Sequence, residues 1–318
     1  MALLFIAVAY QACEGKFGTI VTKRGGAAAK PAKQRQYMGI MGLFQALAKQ
    51  QGGAPLFFYL YVMKMERLKK EDVMIRSSFI MLDKVGLKKE KAIWGHGIET
   101  WDDFLENKIK GISAERKNRH EQQIRLAKLN LDYENALHFR EVLPPSEMWR
   151  IYPEFKDKAA YVDIETSGYY ITVVGIYNGY EVKHFVRGFN MDRNAILNEL
   201  YKHKLLLTFN GSSFDIPMLQ RFLRHKINIA HIDLRHVCSR IGLKGGLKSI
   251  EKQLGIKRAN EVCSMIGNDA VFCWEMFQHT GIKEYLDLLL QYNAEDVLNL
   301  KPLAEYAVEK LWNAIKLI

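Results

Sequence analysis

Four carboxylates and a tyrosine in the C-terminal half of this 318-residue chain fall in three short stretches whose spacing suits one chemistry. They are Asp163 and Glu165 in YVDIET, Asp215 in TFNGSSFD, and Tyr292 with Asp296 in YNAED. Asp163 and Glu165 stand two apart, so on a strand both side chains leave the same face. Carboxylates held that close repel one another, which is costly unless a cation or a proton sits between them. Hard oxygen ligands of this kind suit Mg²⁺ or Mn²⁺. Tyr292 and Asp296 are four apart and share one face of a helix, whereas Glu295 is turned by about 100° from Asp296. In this order the five residues read as a cage for two divalent ions, which would stabilise the attacking and leaving oxygens of a phosphodiester under hydrolysis. Each stretch also has a plainer reading. A lone Asp-x-Glu is usually a solvated strand end, Asp215 suits the N-cap of a helix beginning near Pro217, and Tyr292 suits a core.

The elements that must carry these residues are visible from residue 158 onward. Ala159–Ile164 is a short apolar run that reads as a buried strand. Tyr170–Tyr177 and Glu181–Arg187 flank Asn178-Gly179, a two-residue hairpin signal. The pattern then predicts a helix over about 191–203, a strand Leu205–Thr208, a helix from about Pro217 to His225 and a strand Ile229–Leu234. A helix near Leu247–Leu254 and a helical last third follow. This order is α/β: a mixed sheet with an antiparallel hairpin plus parallel strands, flanked by helices, as in a ribonuclease H-like fold. Parallel neighbours end at one sheet edge, where α/β sites sit. That would bring Asp215 beside Asp163 and Glu165.

Three regions are expected. Residues 146–318 form the sheet domain. Residues 74–145 form a small helical unit and a charged connector ended by Pro144-Pro145, with breaks at Val85-Gly86 and Gly95–Gly97. Thr100 before Asp102 and Asp103 is an N-capping pattern. Residues 1–73, with the low-complexity GGAAAKPAK, read either as a basic irregular extension or as sequence upstream of a true start at Met63, Met65 or Met74.

Composition excludes more than it identifies. The net charge of +11 invites a polyanion partner, but residues 1–73 alone hold 11 Lys/Arg against 4 Asp/Glu, so the excess lies away from the carboxylates. Cys13, Cys238, Cys263 and Cys273 show neither Cys-x-x-Cys nor zinc-like spacing and read as reduced thiols of a cytoplasmic protein. No run of apolar residues reaches the roughly 18–20 needed for a membrane span. The opening MALLFIAVAYQACEG fits a secretory leader poorly, having no basic residue ahead of its apolar run.

Asp-x-Glu, then Asn-x-x-x-Phe-Asp after a strand, then Tyr-x-x-x-Asp on a late helix resembles the DEDDy class of 3′–5′ exonucleases. The chain is more closely similar to the YprB-type ribonuclease H-like domain proteins. There, as here, SSF and IW-G-x-G-I-x-TWDDF features in a helix-hairpin-helix-like segment precede WR, DIET, TFNG, FD-x-P, H-x-DL and YN-x-x-D-V. The hairpin glycines of that segment correspond to Val85-Gly86-Leu87 and depart from the usual Gly-x-Gly. The resemblance covers about residues 74–303. It implies a two-metal nuclease acting on single-stranded DNA or RNA, with Asp163 bridging both ions. Glu165 and Asp296 would complete the first ion's shell, Asp215 would hold the second, and Tyr292 would orient the attacking water. Asn210 and Phe214 would position the terminal nucleotide, while Asp233 would satisfy backbone. A non-catalytic nucleic-acid-binding scaffold and an endonuclease of the same fold are the competing readings.

Overall fold

Short runs rich in Ala, Leu, Val and Ile build a five-stranded sheet at the centre of the chain. The computed structural model describes residues 74–316 except residue 110. Residues 1–73, read above as a basic extension or a misassigned start, lie outside the described residues. The strands are β1 (Ala159–Ser167), β2 (Tyr170–Tyr177), β3 (Val182–Val186), β4 (Leu205–Thr208) and β5 (Ala230–Asp233), in the sheet order β3-β2-β1-β4-β5. β1–β2 and β2–β3 are antiparallel, whereas β1–β4 and β4–β5 are parallel.

Period-two alternation along β1 decides what each face holds. Ala160, Val162 and Ile164 pack with Leu206 against Ile196 and Leu200 of one helix and Leu219 and Leu223 of another. Ala159 and Tyr161 face the opposite side with Leu205, Leu207, Ala230 and Ile232. Asp163 and Glu165 are the next two residues in that second, odd-numbered set. They project toward the long C-terminal helix, which packs on β1 and β2.

The helices, in chain order, are α1 (Leu87–Gly95), α2 (Trp101–Glu106), α3 (Ala114–Asp132), α4 (Ala136–Val142) and α5 (Tyr152–Phe155) before the sheet. Within and after it come α6 (Arg193–Leu200), α7 (Asp215–Leu223), α8 (Leu234–Arg240), α9 (Leu247–Leu254), α10 (Gly267–Thr280) and α11 (Lys283–Lys316). Among the described residues no helix is long and apolar enough to cross a membrane.

Residues 74–155 share one apolar core with the odd face of the sheet and the C-terminal half of α11. At its centre is a buried polar junction. Arg150, fully buried, donates to Glu147 Oε2 (2.6 Å), Glu90 Oε1 (2.9 Å) and Ser78 Oγ (2.7 Å). Glu90 also accepts from the N–H groups of Phe79 (2.7 Å) and Ile80 (3.1 Å). Trp94 and Trp101 donate their indole N–H groups to the carbonyls of Ser77 and Ser78. The SSF, IW, TWDDF and WR motifs thus meet in one buried junction, in which Glu90 Oε2, Arg150 Nη2 and Trp149 Nε1 have no hydrogen-bond partner. Such a junction tolerates no single deletion, because an uncompensated buried charge costs about 3–5 kcal/mol.

Several sequence expectations need correction in detail. The β2–β3 connection is a four-residue loop, since Tyr177 pairs with Val182. Asn178 Oδ1 accepts from both Tyr180 and Glu181 N–H, which stabilises the wider turn. β1 continues past Ile164 to Ser167 through a bulge at Glu165/Thr166, so the carboxylate pair lies within the strand rather than at its end. Val85-Gly86 caps the start of α1, and the described residues before it hold a 3-10 turn, Ile75–Ser77, but no α-helix. The glycine-bearing turn between two helices is instead residues 96–100, where Gly97 takes φ +77° and Thr100 and Asp103 form a reciprocal capping box opening α2. Helix α8 was not expected from the sequence, although Leu234, Val237 and Cys238 are its buried face at helical spacing. It follows because Asp233 caps it.

Candidate active site

The last parallel pair between β1 and β4 is Tyr161 with Leu207, two residues before Asp163. Beyond that point β1 has no partner strand on the β4 side. Asp215 fills the gap: its Oδ1 accepts the Ile164 N–H at 3.1 Å. Helix α7 begins at Asp215 itself, with Phe214 in the N-cap position, so Asp215 is a first-turn residue and not the cap. Its carboxylate is buried and turned onto the strand, between the two β1 carboxylates in sequence.

From the other side, α11 brings Tyr292, Asn293 and Asp296 onto the same face of β1 and β2. Asp163, Glu165 and Asp296 each offer a carboxylate oxygen, and these oxygens all lie within 4.8 Å of one another. Asn293, fully buried, donates its amide to Asp163 Oδ2 at 2.9 Å. Opposite it on β2 stands Gly175, where a Cβ would overlap the Asn293 amide oxygen. The close approach of α11 to the sheet therefore requires glycine there. Gly175→Ala is expected to destabilise the fold by about 1–3 kcal/mol, the usual range for overpacking. It should also lower activity by displacing the amide that holds Asp163. A thermal melt together with a cleavage assay checks this.

Burial and mutual repulsion set the proton affinities of the cluster. Desolvation first, then Asp296, Asp215 and Glu165, raises Asp163 well above the ordinary carboxylate range. Glu165 is pushed up to about 8 by desolvation and then by Asp296. Asp215 is pushed up to about 7, again chiefly by desolvation. Asp296 is raised by desolvation despite the opposing pull of Arg258. Tyr292 packs among Val173, Val186 and Trp274, and burial lifts its phenol above the usual value. A group of carboxylates that would hold protons near neutral pH, arranged around a common point, is suited to a cation.

Four residues that sequence reasoning did not single out complete the surroundings. Asn293 had a weak signal, since it sits three before Asp296 and so shares its helix face. Lys248 brings its buried Nζ, which has no hydrogen-bond partner, to 4.2 Å from the centre of the Tyr292 ring. Arg258 ion-pairs with Asp296 and with Glu251. These three lie far along the chain from the β1 pair, and only the tertiary fold shows their proximity.

Of the remaining expected residues, Phe214 is 43% exposed and Asn210 is half-buried. Asn210 takes a left-handed φ of +66°, donates its N–H to Asp233 Oδ1 (2.8 Å) and accepts from Arg235 Nη1 (2.6 Å) at its side-chain oxygen. Asp233 also accepts the Ser212 and Arg235 N–H groups, so it braces the turn rather than joining the carboxylate cluster. His231 contacts Thr208 Oγ1 at 2.9 Å, and burial lowers its pKa to about 4.

Residues 160–308 match the family model described as the RNase H superfamily. The fold is ribonuclease H-like. Its mixed five-stranded sheet carries the Asp163–Glu165 pair on the central strand. Among solved structures the chain is similar to the family B DNA polymerase from the hyperthermophilic archaeon Pyrobaculum calidifontis. That match has 14% identity and a TM-score of 0.38, and covers 46% of this chain and 24% of that one. No curated protein matches the chain. Within the ribonuclease H-like body, the donor set of Asp163, Glu165 and Asp296 is all carboxylate, which fits a hard divalent cation better than a zinc-type ion.

Proposed function

We propose that this protein is a divalent-metal-dependent 3′–5′ exonuclease that hydrolyses single-stranded DNA or RNA. The observation that carries the reading is that Asp163 and Glu165, on the central strand of a ribonuclease H-like sheet, converge with Asp296 of α11 to within 4.8 Å, with Asp215 fixed beside them. A scaffold that only bound nucleic acid would gain nothing from burying four repelling carboxylates together. Asp163 would contribute to both Mg²⁺ or Mn²⁺ positions, Glu165 and Asp296 to one, and Asp215 to the other. A bound pair of such ions would supply Lewis-acid stabilisation of the attacking and leaving oxygens.

The chain's own residues set the remaining conditions. Tyr292 keeps its proton at any working pH because burial raises its pKa, so its hydroxyl would serve to orient a water rather than to remove a proton. Phe214 presents an exposed ring on which a terminal base would stack. The Asn210 side-chain oxygen accepts from Arg235, so its amide NH₂ would be the group that donates to the nucleotide. Tyr292→Phe is expected to slow turnover by about 10²-fold, the scale of losing the positioning of a reacting group. Mn²⁺ affinity, followed by the loss of free Mn²⁺ signal in electron paramagnetic resonance, should be unchanged.

Single strands labelled at the 5′ end, incubated with Mg²⁺ or Mn²⁺, test the reading. A ladder shortening stepwise from the 3′ end is expected. Internal cuts would make the protein an endonuclease, and retention without cleavage would make it a binding scaffold.

A further inference from the structure

Arg258 stands in the segment between α9 and α10 with its side chain only 4% exposed. Its guanidinium makes a two-point fork with Glu251, Nε to Oε2 at 2.6 Å and Nη2 to Oε1 at 2.7 Å. The same Nη2 donates to Asp296 Oδ1. Glu251, also buried, accepts from Asn299 Nδ2 at 3.1 Å. Asn299 is three residues after Asp296 on α11. The four side chains thus close a ring, Asp296–Arg258–Glu251–Asn299, with both ends on one helix face.

A purely structural account would make this ring a tether for the segment that carries Arg258. That segment already has a tether, because the Ala259 N–H donates to Glu295 Oε1 at 3.3 Å. What the ring adds is a constraint on Asp296. Repulsion from Asp163 and Glu165 would turn an unrestrained carboxylate away from them. With one oxygen held by Arg258, Asp296 still offers an oxygen within 4.8 Å of the other two.

We propose that Arg258 is a positioning residue: locked by Glu251, it holds Asp296 in ligand geometry before any divalent cation arrives. This rests on the metal-centre reading above. The positive charge of the guanidinium opposes cation binding, whereas its orientation of Asp296 favours it. The two-point pair with Glu251 cancels most of that charge, so orientation is the larger effect. Asn293 performs the matching task for Asp163, and the Ile164 N–H performs it for Asp215.

The test is Mn²⁺ affinity by electron paramagnetic resonance on the full chain, with a melt in chelator as the control for folding. Two variants are used. Arg258→Met combined with Glu251→Gln removes both partners of the fork, so Glu251 is not left as a buried unpaired charge and only Asp296 loses its cation. Arg258→Lys keeps the charge but cannot make the fork. Both are expected to bind Mn²⁺ about 10–100-fold more weakly, as for other partners that orient a ligand, while retaining a cooperative melt. Unchanged affinity in the double variant, or restoration of affinity by lysine, would overturn the proposal. Tighter binding would overturn it too, since it would make the guanidinium a competitor for the site. If the unaltered protein took up no Mn²⁺, the metal-centre reading would fail and this inference with it. Should the double variant lose its cooperative melt, Arg258→Lys alone decides.

Discussion

Asp163→Asn is expected to reduce cleavage by about 10³-fold or more while leaving the metal-free protein at least as stable as the unaltered chain. The loss follows from position. Asp163 neighbours each of the other three carboxylates and is the one the Asn293 amide holds: it shares a strand face with Glu165, lies one residue from the N–H that Asp215 caps, and meets Asp296 across the gap to α11. Losing several kcal/mol of charge stabilisation at the reacting phosphate corresponds to about three or more decades at 1.36 kcal/mol each. The retained stability follows from the same crowding. Desolvation and three neighbouring carboxylates hold Asp163 well above its ordinary pKa, so its charge is a burden on the metal-free fold. Asparagine removes that burden and still offers an oxygen to the Asn293 amide. Alanine would remove it as well but would strand the buried amide, at a cost of about 1–3 kcal/mol. The two variants should therefore be equally inactive and differ in melting temperature, alanine lower. Full activity in either would show that the carboxylate cluster is not the reacting centre.

The parts of this centre that could be read from sequence are those set by local periodicity. Residues 159, 161, 163 and 165 share a face in any strand, so an apolar Ala159 and Tyr161 followed by Asp163 and Glu165 already describes a buried face that turns polar at one end. The spacing of Tyr292 and Asp296 is likewise local. Leu205–Thr208 and Leu247–Leu254 were readable to the residue because strongly apolar or amphipathic runs end at polar or glycine breaks. What sequence could not supply depends on which element lies against which. The overlap that makes Gly175 obligatory exists only because Asn293 of α11 crosses β2 there. Arg258 reads as a surface arginine in IKRAN until the segment folds over α11 and buries it against Asp296. The roles of Trp94, Trp101 and Arg150 also emerge only when residues 74–155 close on the sheet. Their motifs were recognisable, yet no spacing in them announces a shared junction with Ser78 and Glu90.

The second large effect expected is a coupling between pH and metal stabilisation. Glu165 is raised to about 8 and Asp215 to about 7, from ordinary values of 4.5 and 3.8. Asp163 and Asp296 are raised as well. A carboxyl whose folded pKa exceeds its unfolded one binds its proton more tightly in the native state. Its stabilising contribution is complete below the unfolded value and is lost as pH rises toward the folded value. The metal-free protein therefore gives up the Asp215 and Glu165 part of this contribution between about pH 4 and about pH 8, and Asp163 and Asp296 add losses in the same direction. Buried His184, His203 and His231 act in the opposite sense below their ordinary value of 6.5, because their pKa values are lowered. Those histidines titrate with or without metal, so the readable quantity is the difference between melts in Mn²⁺ and in chelator. A divalent cation binds the ionised carboxylates and must displace their protons. The Mn²⁺ increment in melting temperature should be small near pH 5.5 and grow from there to about pH 8 as Asp215 and Glu165 lose their protons. Calorimetry in two buffers of different ionisation enthalpy should register proton release on Mn²⁺ binding at pH 6.5 and less at pH 9, where Asp215 and Glu165 are already ionised. An increment that stayed flat from pH 5.5 to 8.5 would mean that the cation binds elsewhere, on carboxylates that are already ionised. Asp163→Asn provides the internal comparison, since it removes one of the coupled protons and weakens the cation's hold. In that variant both the increment and the proton release should shrink together.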